Sequence, residues 1–288
     1  MKTFIHLTDL HIGDPSLGFS GGIGEEIDDP RPLTDTPARL KAALARIATL
    51  EVAPSFIVVT GDLSQYGEAA SYKALRDIMA DVAPPVIYGL GNHDDRQNFY
   101  AQIVDDPART APYDHDVVID GVHVITLDSG VPGKVGGSLA PEQFEFLAAA
   151  LSRHADAPKV LAIHHPPVMG DSNAPAYDGL DRDDSARLGD MIEGGRVQAI
   201  LCGHIHQSRV TLWRGTPVVV TTGLHNAIDP LRLPNAHAMS NDAAFALCTV
   251  SHDMFTVNYV SLATDHQDLG AITPAQIAAY EETLQQKG

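Results

Sequence analysis

Cysteine is scarce: the 288 residues hold two, Cys202 and Cys248. Two thiols cannot build a disulfide framework. Both sit in apolar runs, Ala-Ile-Leu-Cys and Phe-Ala-Leu-Cys, which predicts buried, unpaired thiols and a reducing, cytoplasmic setting. Basic residues are also few. Lys and Arg number 19 against 37 Asp and Glu, a net charge of −18, so an extended nucleic-acid surface and an anionic membrane surface are excluded by repulsion. Long hydrophobic runs are missing. No stretch approaches the roughly 20 residues of a membrane span, and the apolar run after Lys2 stops at Asp9, too short for the core of a signal peptide. No internal repeat or linker is visible. What is present is a hydrophobic content of 44%, enough for a full core, and a length that suits one large α/β domain or two ordinary ones. Histidine is plentiful, at 14 residues, and its placement carries most of the information.

Short apolar runs alternate with amphipathic ones. Strands are expected at 3–8, 56–60, 86–90, 160–163 and 197–202, and helices at 69–82, 141–151 and 183–193. Thr36-Pro37 reads as an N-cap with proline in the first helical turn. Asp120-Gly121 and Arg214-Gly215 signal hairpin turns, and a third hairpin over 244–262 turns near His252-Asp253. A last helix is expected after Thr273-Pro274. The loop 12–35, with five glycines and several acids, is long enough to be functional or mobile.

The polar residues fall in a pattern. The five strands run into Asp9-Leu10-His11, Gly61-Asp62, Gly91-Asn92-His93-Asp94, His164-His165-Pro166-Pro167 and Gly203-His204-Ile205-His206. In open α/β sheets, ligands bind at the carboxyl ends of strands. A single His or Asp after a strand is more often a turn or cap residue, but turns do not select Asn-His or His-x-His, and five such endings in order are not a product of turn chemistry. Imidazole, carboxylate and amide without thiolate suit zinc, manganese, iron or cobalt. Seven candidates, Asp9, His11, Asp62, Asn92, His164, His204 and His206, exceed the needs of one catalytic ion and match two ions sharing a carboxylate. In Asp9-x-His11 and His204-x-His206, an extended backbone would send both side chains to one face. Two divalent ions less Asp9, Asp62 and a hydroxide leave about +1, which favours an anionic phosphoester.

These blocks, D-x-H, GD, GNH[DE], H and GH-x-H in that order, resemble the calcineurin-like metallophosphoesterase superfamily, and among its members bacterial class III cyclic nucleotide phosphodiesterases and glycerophosphodiesterases. The resemblance implies a four-layer α/β/β/α sandwich of two mixed sheets, a catalytic domain over 1–265, and a helical tail over 266–288 that packs on the domain or on the partner in a homodimer. It places Asp9, His11 and His206 on one metal ion, Asn92, His164 and His204 on the other, and Asp62 between them. The two divalent ions it implies would be Mn, Fe, Zn or Co. His164 rather than His165 is the ligand by the family pattern. Purple acid phosphatases carry tyrosine three places after the bridging aspartate; here that place is Gln65, with Tyr66 one residue off, which disfavours a tyrosinate–iron(III) site.

The implied reaction is hydrolysis of a small phosphodiester, first a cyclic nucleotide, by water activated on the metals. His93 would protonate or stabilise the leaving alkoxide. Asp94 would orient a histidine, or serve as the N-cap of a helix beginning near Arg96. Asn92, His93 and His225 would face substrate, as would the segments 12–35 and 171–182. Phe19, Tyr66 and Tyr177 are the loop aromatics available to a nucleobase. His115, His123, His154, His237, His252 and His266 read as surface or hairpin residues. A glycerophosphodiesterase, a phosphomonoesterase and a non-catalytic phospho-ligand sensor are the competing functions, and the last has no need of His93.

Overall fold

The structure is a computed structural model that describes residues 1–13, 34–168, 179–193, 197–231 and 238–262. The expected tail 266–288 with its Thr273-Pro274 helix start, most of the loop 12–35 with Phe19, the residues 171–178 with Tyr177, Gly194-Gly195, His237 and His266 lie outside the described residues.

Two sheets form the centre. The first contains β1 (Lys2–Leu7), β2 (Ile57–Thr60), β3 (Val86–Gly89), β12 (Ala244–Val250) and β13 (Phe255–Ser261) in the order β13-β12-β1-β2-β3. The second contains β4 (His115–Ile119), β5 (Val122–Leu127), β6 (Lys159–Ile163), β7 (Val197–Cys202), β8 (Arg209–Trp213) and β9 (Thr216–Val220) in the order β4-β5-β6-β7-β9-β8. Both are mixed: β1, β2 and β3 run parallel, as do β5, β6, β7 and β9, while hairpins form both edges of the second sheet and the β13 edge of the first. A small pair, β10 (Ala227–Ile228) with β11 (Met239–Ser240), was not expected.

The period of two along each strand explains the layers. Phe4 and Val58 face a core between the sheets, with Val124, Ala162, Leu201 and Val219 opposite. Ile5, Leu7, Ile57 and Val59 face the other way, against α1 (Thr36–Ile47) and α2 (Ala69–Met79) through Leu40, Ala43, Tyr72 and Leu75. On the far side, Ile125, Leu161, Ile200 and Val218 meet α4 (Pro141–Ser152) and α5 (Arg182–Ile192) through Phe144, Leu147 and Leu188. Three apolar interfaces thus separate four layers, helices, sheet, sheet, helices, as expected. At about 1.5–3 kcal/mol per fully buried large apolar side chain, the central interface alone is a major stabilising contact. It also holds a polar insertion: His6 is fully buried and bonds Thr60 Oγ1 at 2.9 Å and Thr221 Oγ1 at 3.0 Å, joining the ends of β2 and β9 across the two sheets.

Several local expectations are corrected. Asp35, not Thr36, caps α1, accepting from Ala38 N at 2.9 Å; the Thr36 hydroxyl instead donates to the His11 carbonyl at 2.8 Å and ties the helix start to the first strand ending. After β3 comes a short α3 (Arg96–Phe99) that continues into a π-helical turn (Tyr100–Val104). Its N-cap is Asp95, whose side chain accepts from Asn98 N at 2.8 Å. His123 stands in the β4–β5 hairpin, one of the two expected settings, but it is fully buried there and bonded to Asp116 at 2.7 Å, because β5 is covered along its whole length. The turns at Asp120-Gly121 and Arg214-Gly215 form as expected, with both residues of each at positive φ.

Candidate metal centre

Parallel strands of both sheets deliver their carboxyl ends to one edge of the sandwich. Asp9 and His11 follow β1, Asp62 follows β2 and Asn92 follows β3; His164 follows β6, and His204 and His206 follow β7. The nitrogen and oxygen atoms of Asp9, His11 and His206 come within 4.8 Å of one another, and so do those of Asp9, Asp62 and His164. His206 Nε2 lies 3.3 Å from Asp9 Oδ1. Asp62 Oδ2 lies 3.5 Å from His11 Nε2 on one side and 3.3 Å from His164 Nε2 on the other. His204 Nδ1 and Asn92 Oδ1 stand 3.0 Å apart. All seven expected residues are therefore brought together.

The far nitrogen of each ring shows why. His164 Nδ1 donates to Thr60 O at 2.9 Å, His206 Nδ1 to Asn226 O at 2.9 Å, and His11 Nδ1 to Gln65 Oε1 at 2.7 Å. A carbonyl oxygen only accepts, so each ring carries its proton on Nδ1 and turns a lone pair on Nε2 into the cluster. His11 Nε2 and His164 Nε2 are buried without a hydrogen-bond partner among the described residues. Buried nitrogen without a partner is costly, and a cation between these atoms and Asp62 would satisfy both. The donor set fits divalent transition metals for that reason as well as by residue type.

The charges agree. Burial alone would raise the Asp9 and Asp62 carboxyls, yet the surrounding histidines hold both well below the usual range: chiefly His206 and His11 for Asp9, and chiefly His164 and His93 for Asp62. Burial opposes a proton on His164, but Asp62 overrides it and pushes the imidazole up to about 9. The two carboxylates thus make the pocket one that favours positive charge.

The backbone that presents these groups was not legible as expected. Asp9, His11, Asp62, His204 and His206 all sit at positive φ, between 44° and 72°. The D-x-H and H-x-H pairs converge through left-handed residues, not through strand alternation. Non-glycine residues take this conformation at a cost of about 1–2 kcal/mol each, and such strain collects at functional sites. Glycines in the same motifs allow the close approach: a Cβ on Gly91 would run into the Asp62 carboxylate, and one on Gly203 into the Thr8 hydroxyl and the Asp9 carboxylate.

Around the cluster, His93 Nδ1 donates to Gln65 O at 2.7 Å and its ring lies edge-on to His11, 4.7 Å between centroids. One His93 nitrogen is within 4.8 Å of His11 and Asp62 ligand atoms. His225 lies 4.6 Å from the His11 ring, where burial and then His11 and His206 push its imidazole down to about 2. His165 is spent on structure: Nε2 donates to Val135 O at 2.9 Å and Nδ1 bonds Ser129 Oγ at 2.8 Å, with the ring packed 4.4 Å from that of His204. Of the two neighbours, His164 is the one whose Nε2 is left without a hydrogen-bond partner among the described residues.

Asp94 is a correction. It neither orients a histidine nor caps the helix. Its carboxylate accepts from the backbone N–H groups of Leu63 and Ser64 at 3.1 Å and Gly91 at 2.9 Å, and from the Tyr72 hydroxyl at 2.9 Å. With every lone-pair direction committed, it acts as a latch between the loops after β2 and β3, and burial with Asp62 nearby lifts it to about 6. Residues missed in sequence are Gln65, Thr60 and Asn226, which fix ring orientation, the latter two through backbone carbonyls that no residue type announces. Gln65 is buried next to His11, whereas Tyr66 is 49% exposed, so no phenol takes the place a tyrosinate ligand would need.

Comparison with known proteins places this arrangement. The family model for calcineurin-like phosphoesterases matches residues 2–208. A probable cyclic nucleotide phosphodiesterase from Rhodococcus erythropolis is 33% identical over 217 residues, 74% of this chain and 69% of that protein. A cAMP/cGMP dual specificity phosphodiesterase from Mycobacterium tuberculosis is 32% identical over 222 residues, 76% of this chain and 66% of that protein. Among solved structures, a purple acid phosphatase from yellow lupin seeds superposes with a TM-score of 0.62 at 12% identity, over 90% of this chain and 51% of that one, a likeness of fold.

Proposed function

The chain belongs to the calcineurin-like phosphoesterase family and is a metal-dependent phosphoesterase, and from that premise we propose that it is a dinuclear-metal phosphodiesterase acting on small diesters, cyclic nucleotides first. The observation that carries the dinuclear part is Asp62 Oδ2, set between two buried, unpartnered imidazole nitrogens that come from different sheets. In this reading Asp9, His11 and His206 hold one ion, Asn92, His164 and His204 the other, and Asp62 both. Support for cyclic nucleotides comes from the two relatives at 33% and 32% identity, which are named for that activity.

When bound, such ions supply Lewis acidity and a nucleophilic water at neutral pH. The protein's own groups do the rest. Asp9 and Asp62, held ionised, supply two negative charges, and the neutral amide of Asn92 adds none, so the loaded site keeps a positive balance for an anionic diester. His93, its Nδ1 anchored on Gln65 O, presents Nε2 as the group that delivers a proton to the departing alkoxide. His225, neutral and beside His11, borders the substrate. Asp94 contributes through the Leu63, Ser64 and Gly91 amides that it fixes in place. The catalytic domain is residues 1–265. A cytoplasmic location is supported by the two buried, unpaired cysteines, and no helix among the described residues is long and apolar enough to cross a membrane.

The test is one panel. Protein freed of metal and reloaded separately with Mn, Fe, Zn or Co is assayed on cyclic AMP, 2′,3′-cyclic nucleotides, glycerophosphodiesters and monoesters. Hydrolysis of 3′,5′-cyclic nucleotides above the other classes is expected. Preference for glycerophosphodiesters or monoesters would replace the substrate assignment, and failure to bind two ions would sink the dinuclear one.

A further inference from the structure

Gln65 holds an unusual number of strings. Its N–H donates to Ile12 O at 3.0 Å, its backbone carbonyl accepts from His93 Nδ1 at 2.7 Å, and its side-chain oxygen accepts from His11 Nδ1 at 2.7 Å. The residue is 6% exposed. The loops after β1 and β2 are zipped beside it by Asp9 N to Gly61 O, His11 N to Asp62 O and Ile12 N to Leu63 O, at 2.9–3.0 Å. One residue therefore touches both an expected metal ligand and the expected proton donor, and does so from a rigid backbone.

We propose that Gln65 is a positioning residue that sets which nitrogen of His11 faces the metal, and that its neutral amide does so without reducing the positive charge left for the substrate. This rests on the dinuclear phosphodiesterase reading. The chemistry is specific. An acceptor at Nδ1 holds the proton there and keeps Nε2 as the donor atom. Without it, His11 is free to protonate Nε2 or to rotate, either of which withdraws the ligand. A carboxylate at this place would accept the same proton more strongly and raise the donor strength of Nε2, but it would add a negative charge next to the site. The two effects separate metal affinity from substrate affinity, which mere support of the fold would not do. The His93 anchor is a main-chain carbonyl, so side-chain substitutions leave it in place.

Two variants test this: Gln65→Leu, which keeps size and removes the acceptor, and Gln65→Glu, which keeps the acceptor and adds charge. Apo proteins are titrated with Co(II), following the visible absorption of the site, with thermal melting as a check on folding. Gln65→Leu should weaken one of the two Co(II) sites about 10–100-fold and alter its spectrum while sparing the other, the usual size of an outer-ligand effect. Gln65→Glu should bind Co(II) more tightly than the parent, yet show a raised KM for an anionic diester with kcat less affected. A folded Gln65→Leu with parental affinity and spectrum at both sites overturns the proposal. If Gln65→Leu does not fold, Gln65→Glu decides: tighter Co(II) binding together with the raised KM supports it, and unchanged or weaker binding overturns it. A parent protein that binds fewer than two ions would instead defeat the dinuclear reading itself, so the two failures are told apart.

Discussion

His6 offers a pH experiment whose size follows from where it sits. It lies fully buried between the sheets, bonded to Thr60 and Thr221 hydroxyls, and burial, only partly offset by Asp9, pushes its imidazole from the ordinary 6.5 down to about 3. In the folded protein His6 therefore stays neutral at every pH above about 3, whereas the unfolded chain takes up its proton below 6.5. The stability that His6 contributes is complete above pH 6.5 and drains as pH falls from 6.5 toward the folded value. Between pH 7.5 and 5.5 the unfolded population binding a proton rises enough to cost the fold about 1.4 kcal/mol from this one residue. The figure hardly depends on the folded value so long as that stays below about 4.5, and a cation at Asp9 can only lower it further. His6→Asn removes the titration. Urea unfolding of both proteins at the two pH values gives a double difference in which every other histidine and any metal loss cancels. The parent should lose about 1.4 kcal/mol more than the variant. A double difference under about 0.5 kcal/mol would mean that the folded protein accepts the proton on His6, and the argument from burial would fail.

Three other outcomes are expected. Asp62→Ala should bind neither ion, measured by elemental analysis of protein purified without chelator, and full metal content in a folded variant would remove Asp62 from the bridging place. His93→Ala should keep its metals and lose about 10²–10⁴-fold in kcat on an alkoxide-leaving diester, but much less on a nitrophenyl ester; equal losses on both would leave His93 a role in holding the phosphate only. Asp94→Ala strands three backbone N–H groups and the Tyr72 hydroxyl, so denaturant unfolding should show a loss of about 3 kcal/mol or more, while a loss below about 1 kcal/mol would show that water replaces the latch.

Much of the architecture was open to reading because it is periodic. Strands such as Val197–Cys202 and hairpin turns at Asp-Gly and Arg-Gly are local features, and strand ends in parallel sheets gather at one edge wherever the topology is right. The seven clustered residues were found for that reason. What escaped depends on contacts between distant segments. Left-handed φ at Asp9 or His206 leaves no trace in residue type. The burial of His123 follows from α4 and its neighbours lying over β5, and the orienting oxygens of Thr60 and Asn226 belong to the main chain. Thr36 has the residue type of a cap, but tertiary pull on its hydroxyl by His11 O leaves Asp35 to serve instead. Asp94 carries the letter of a catalytic acid, and only the four donors around it reveal a latch.

The split origin of the cluster has a mechanical consequence. Asp9, His11, Asp62 and Asn92 follow strands of the five-stranded sheet, and His164, His204 and His206 strands of the six-stranded one, so ions held between them would rivet one leaf of the sandwich to the other. Ligand held a thousandfold above its dissociation constant adds about 4 kcal/mol to a fold that binds it only when assembled. Thermal stability then becomes a gauge of the free metal around the protein. Chelation would loosen that rivet, while Phe4, Val58 and Val219 keep the leaves together deeper in the seam. Starvation for metal would thus slacken the mouth of the site before it unfolds the chain.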